Sequence, residues 1–109
     1  VKDPEAVALE LADVAAELRA CAVLVSKNEA QARELYALYE QGRALSGEIN
    51  AFLRGPGPHD ALTPSTYAAA MGAWVDAREL ADYVYFLHSG GTRTVFQSLD
   101  RRDVPGAAL

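Results

Sequence analysis

Residues 35–52 read LYALYEQGRALSGEINAF, and the spacing of their large apolar side chains decides the fold class. Leu35, Leu38, Gly42, Leu45, Ile49 and Phe52 recur at alternating intervals of three and four, the period at which one stripe of an α-helix faces a core. A half-buried strand would alternate at period two, which this stretch does not. Glycine in a helix interior costs about 1 kcal/mol against alanine. Gly42, together with Gly47, is therefore expected to leave room for a neighbouring helix to come close. Tyr36 and Tyr39 flank the seam and read as rim residues, ring packed and hydroxyl wet. Ser26 and Glu29 have the spacing of a capping box, from which this second helix is expected to start.

Upstream, DPEAVALELADV (residues 3–14) opens a first helix: Asp3 suits the N-cap, Pro4 the first helical position and Glu5 the positive end of the dipole. Val7, Leu11, Val14, Leu18, Cys21 and Val25 form its buried stripe, with Cys21 read as a small buried hydrophobe. Downstream, RGPGPHD (residues 54–60) has two prolines and two glycines in seven residues and must be the main loop. Thr63 and Pro64 then cap and start a third helix, buried through Tyr67, Met71, Trp74 and Val75 and onward through Leu80, Val84 and Leu87. The stripe shifts near Asp76–Glu79, which suggests a kink or a break without deciding between them.

The glycine pair Gly90-Gly91 has three readings. It closes the third helix, with Thr92 capping a short last helix through Val95, Phe96 and Leu99. Alternatively Gly90, Gly91, Thr92 and Arg93 form a nest of backbone N–H groups for an anion, although GGTRT lacks the lysine and spacing of a P-loop. A helix running through both glycines costs roughly 2 kcal/mol. The expected architecture is all-α: an antiparallel bundle of three to five helices with two long amphipathic ones, one domain over residues 1–104 and a flexible tail over 105–109.

The 109 residues suit a single core, and alanine supplies much of the 50% apolar content, so close helix-on-helix approaches are expected. A core this small gains from oligomerisation. The net charge of −5 opposes direct binding to nucleic acid, whose non-specific affinity comes from Lys and Arg. No apolar run reaches the roughly 18 residues of a membrane span, and a cytoplasmic location is the default.

Candidate chemistry is sparse. His59 and His88 stand at no metal-ligand spacing to each other or to Cys21, and the carboxylate pairs Glu10/Asp13 and Glu79/Asp82 lack the Glu-x-x-His form, so a solvated face accounts for them. Neither a G-x-S-x-G signature nor a cysteine-protease signature is present, and His88 and Ser89, being adjacent on a helix, do not face one another. No catalytic residue, metal ligand or cofactor is assigned.

Taken together, AVALELADV (residues 6–14), NEAQARELYALYEQGRAL (28–45), LTPSTYAAAM (62–71) and FQSLDRR (96–102) resemble, in order and length, the segments of the YlbF/YmcA family of small all-helical bacterial proteins. Asn28-Glu29-Ala30 and Leu35 to Tyr39 stand where that family has a turn followed by L-x-x-x-Y/F. The resemblance implies a non-enzymatic regulator that assembles into dimers or larger bundles and, in some members, works with an RNA-degrading enzyme in developmental control. Some members carry C-terminal cysteines for an iron–sulfur cluster; this sequence has none there, so no cofactor is implied.

The functional expectation is a helical interaction module that forms a homo-oligomer, dimer or tetramer, and binds a protein partner. Tyr36, Tyr39, Trp74, Tyr83, Tyr85 and Phe86 are its candidate interface, because residues 83–87 are apolar or aromatic on all sides of a helix and such a helix must be surrounded. The alternative is a small-molecule or anion binder, or an enzyme, with its site near Gly90-Gly91.

Overall fold

The computed structural model describes residues 3–88, which form three α-helices: α1 (Pro4–Ser26), α2 (Ala32–Arg54) and α3 (Pro64–His88). The all-α class holds, with no strand among the described residues. All three helices are long, at 23, 23 and 25 residues, because α3 runs without interruption past Asp76–Glu79. Its buried line there is carried by Ala77 and Ala81, so the shift in the large side chains is no break. The readings at residues 90–99 and the tail at 105–109 lie outside the described residues.

α1 is the central helix. It shares its largest interface with α3 and a smaller one with α2, whereas α2 and α3 meet least. Neighbours in sequence run antiparallel, but α1 and α3 run parallel, since the first turn of α1 is hydrogen-bonded to the first turn of α3. The bundle is thus antiparallel only between consecutive helices.

Alanine makes the α1–α3 contact close. Ala8, Ala15 and Ala22, seven residues apart, are 1% exposed or less, and Ala70, Ala77 and Ala81 on α3 are buried likewise. A methyl group at each crossing lets two helix axes approach toward the short end of the usual 8–10 Å range. The larger residues of the expected α1 stripe, Val7, Leu11, Val14, Leu18 and Val25, are buried as the period requires, but Cys21 is only half-buried. Each fully buried leucine, such as Leu11, Leu18 or Leu35, contributes roughly 1.5–3 kcal/mol by leaving water.

On α2, Leu35, Leu45 and Ile49 are buried, whereas Leu38 and Phe52 are half-buried and pack against the core. Gly42 is buried for a specific reason: a Cβ there would lie under 3.0 Å from Cζ3, Cη2 and Cε3 of Trp74. The glycine makes a notch for an indole rather than for a helix backbone. Trp74 is 2% exposed and stacks on Tyr39, with ring centroids 5.7 Å apart and planes inclined by 23°. Gly47 has open space around it, and no helix comes close there.

The boundary between α1 and α2 departs from expectation. SKNE is the end of α1, not the start of α2. Asn28 takes the left-handed conformation at φ 62°, the Asn28 N–H donates to the carbonyl of Val25 at 3.0 Å, and the Glu29 N–H donates to that of Leu24 at 2.8 Å. These two bonds are a Schellman closure, with asparagine where glycine is commonest. Ser26 donates its hydroxyl back to Val23 O at 2.6 Å, within the last turn. The capping box lies further on, where Gln31 N–H donates to Glu34 Oε2 at 2.9 Å and the Gln31 side chain caps in return.

The proline-rich loop closes on itself. His59 Nε2 is 3.0 Å from Gly55 O, its ring meets Phe52 edge-on at 5.3 Å, and Leu62, 5% exposed, anchors the exit into the core. The Gly57-Pro58 peptide is cis. At the start of α1 the Asp3 side chain makes no cap bond. Glu5 instead reaches across to α3, accepting the Thr63 N–H at 2.9 Å and the Thr66 hydroxyl at 2.8 Å, so one carboxylate caps the neighbouring helix.

Two expectations follow. Gly42→Ala gains about 1 kcal/mol of helix propensity but loses about 1–3 kcal/mol by crowding Trp74. Urea unfolding followed by circular dichroism should therefore show net destabilisation, reduced in a Trp74→Phe background; an equal cost in both backgrounds would mean the indole does not fill the notch. The second concerns Glu5. The Thr63 N–H, then the Thr66 hydroxyl, hold its carboxyl below the ordinary value of 4.5. The folded state thus binds this proton more weakly than the unfolded state, and the stabilisation is whole above pH 4.5 and lost as pH falls through the lower folded value. The melting-temperature gap between wild type and Glu5→Gln should be constant from about pH 7 to about pH 5 and close at lower pH; a gap independent of pH would contradict the carboxylate cap.

Candidate interaction surface

The structure separates the six candidate aromatics into three groups. Tyr39 and Trp74 are 0% and 2% exposed and belong to this chain's own core, so neither is a rim or interface residue. Gly42 draws them inside, since its missing side chain is the space the Trp74 ring occupies. Tyr36 and Tyr85 are half-buried and packed against the core. Tyr83 and Phe86 stand outside at 63% and 40%, joined by Leu87 at 54%. The cause is helical phase: Ala77, Ala81 and Val84 turn inward, which leaves positions 83 and 86 on the outer side of the same turns and 87 at their flank, toward the groove with α1. Gly90, Gly91, Thr92 and Arg93, the anion-site candidates, lie outside the described residues.

A second apolar feature lies between α1 and α3, on the side away from α2. Two adjoining open hollows of about 240 and 330 Å³ run along the groove and share Ala12. Leu9, Thr66 and Ala69 border the first; Ala16, Arg19, Ala73 and Asp76 border the second. Leu9 on its rim is 57% exposed and Val23, two turns beyond Ala16, is 42% exposed. The groove is shallow because the residues that bring the two helices together are alanines, and their neighbours on the outer face are small as well.

Leu9, Ala12, Ala16 and Val23 recur at helical spacing about a third of a turn from the core stripe. That weaker second stripe was the available signal for the groove, and attention to large side chains passes over it.

The polar groups are dispersed. No cluster of three metal-ligating side chains occurs among the described residues. His59 is committed to closing its loop, and His88 is exposed in the last turn of α3. Glu10, Asp13 and Glu79 are exposed as a solvated face should be, but Asp82 is half-buried with Oδ1 enclosed. No helix among the described residues is long and apolar enough to cross a membrane.

No family model, curated protein or solved structure matches the chain.

Cys21 is the one free thiol, and burial first, then the negative charge of Glu34, pushes its pKa above the ordinary value of 9.0. Thiolate is the reactive form. Alkylation at neutral pH should run slower in the folded chain than in urea; equal rates would mean the thiol is freely solvated.

Proposed function

We propose that this chain is a non-enzymatic, helical protein-interaction module of regulatory type, which binds a protein partner and associates with itself. The observation that carries the reading is the outer end of α3, where Tyr83, Phe86 and Leu87 are 63%, 40% and 54% exposed side by side. Exposed aromatics with a neighbouring leucine are what interface centres are made of, since they bury much apolar area at little cost in side-chain entropy. The surplus net charge of −5 favours a protein over a polyanion as the partner. The likeness of the segment order to YlbF/YmcA proteins supports a bacterial, cytoplasmic regulator, and with it a role in RNA processing or development.

A photoreactive phenylalanine analogue placed at position 83 should form discrete protein adducts in cells, whereas the same probe at Asn50, exposed on α2, should not. Phe86→Glu should remove the adducts at a cost of about 2 kcal/mol or more in binding, with helix content unchanged. Equal labelling from both positions would reject this surface as an interaction site.

A further inference from the structure

We propose that the open α1–α3 groove seats a second copy of this chain about a two-fold axis near Ala16, with the paired helices of the two copies antiparallel; this rests on the interaction-module reading and names one partner. Position along the groove follows from the parallel register. Glu5 bonds Thr66, Ala8 lines the first hollow with Ala69 and Ala12 the second with Ala73, so a residue of α1 lies level with the one about 61 further on in α3. On that scale the face is graded. Toward the helix starts its floor is alanine, at Ala12, Ala69 and Ala73, with the hollow of about 240 Å³ above it. Toward the helix ends it is bulky, at Val23, Leu80 and Leu87.

A two-fold axis perpendicular to the helices sets each half of this face against the other half in the partner copy. With the axis at Ala16, Leu9 of one copy meets Val23 of the other, being equally far from it on either side. Leu87 of one copy then comes level with residue 67 of the other, over its first hollow, and Leu80 level with residue 74, beside Ala73 at the second. Charge follows the same rule. Arg19 and Asp76 both border the second hollow, and the axis brings each within about two residues' rise, roughly 3 Å along the helix, of its opposite in the other copy. A parallel pairing would lay α1 of one copy on α3 of the other at the same level, bulky end on bulky end and alanine floor on alanine floor, and leave the hollows empty. The groove is thus complementary to itself in size only in the antiparallel sense.

The area is adequate for a reversible dimer. Two adjacent helices, each roughly 10 Å across and exposed over about 20 residues, present a face of roughly 600 Å². That is at the low end of the 600–1,000 Å² or so that each partner contributes to a specific interface.

Light scattering at roughly 100 µM, a concentration that populates a micromolar dimer, should give twice the 11.7 kDa chain mass. Ala16→Glu should weaken the dimer at least tenfold and leave the melting temperature of the monomer unmoved, because Ala16 is exposed within one chain. Arg19→Asp should weaken it too, and adding Asp76→Arg should restore it. Orientation is read in a Cys21→Ala background: Leu9→Cys and Val23→Cys variants, mixed under mild oxidation, should crosslink to each other and not to themselves. A chain monomeric throughout the concentration range overturns the second copy, while adducts from position 83 would still uphold the interaction-module reading. A dimer indifferent to Ala16→Glu, or crosslinks of 9 with 9 and 23 with 23, overturns this seat and this orientation.

Discussion

The alanine seam between α1 and α3 is the constraint from which the rest of the architecture follows. Ala8, Ala15 and Ala22 on one helix and Ala70, Ala77 and Ala81 on the other are buried methyl groups in the core of two parallel, closely packed helices. Turning those residues toward α1 fixes the rotation of α3 about its axis. Trp74 then has one way to point, into the angle toward α2, and the last turn of α3 has one face left for Tyr83 and Leu87. Moving α3 outward by the width of a larger side chain would lift the indole from its notch at Gly42 and open the Glu5 bonds to Thr63 and Thr66 together.

Much of this fold was legible from residue spacing. The α2 seam, the stripe of large residues on α1, the loop from Gly55 and the start of α3 at Pro64 all follow from period and from proline and glycine chemistry. What escaped has a common cause. Alanine carries little weight in a hydrophobic pattern, yet here it is a main buried residue type, so the stripe of α3 shifts, as at a kink or a break, where Ala77 and Ala81 carry its core line. The turn after α1 was misplaced because Ser-x-x-Glu and an asparagine-closed Schellman turn share residues, and only the backbone at Asn28 decides between them.

The candidate site was less legible. Aromatic content marks both core and interface: period put Trp74 on the buried side of α3 while aromatic content also made it an interface candidate, and Tyr39 read as a rim residue. Their fate depends on Gly42 facing α3, a tertiary fact. Tyr83 and Phe86 were separable in principle, since Ala77, Ala81 and Val84 set the inward phase of that helix. The groove between α1 and α3 is a property of two helices in register, and neither helix alone announces it.

Trp74 is the only tryptophan in the chain, and it stands at the joint between α2 and α3, where the bundle has its smallest helix–helix contact. Its intrinsic fluorescence is therefore a gauge of one seam rather than of the whole molecule. If α2 swings away while the alanine pair stays closed, emission moves to the red before helicity falls. The indole thus gives the bundle a built-in optical marker for a half-open state.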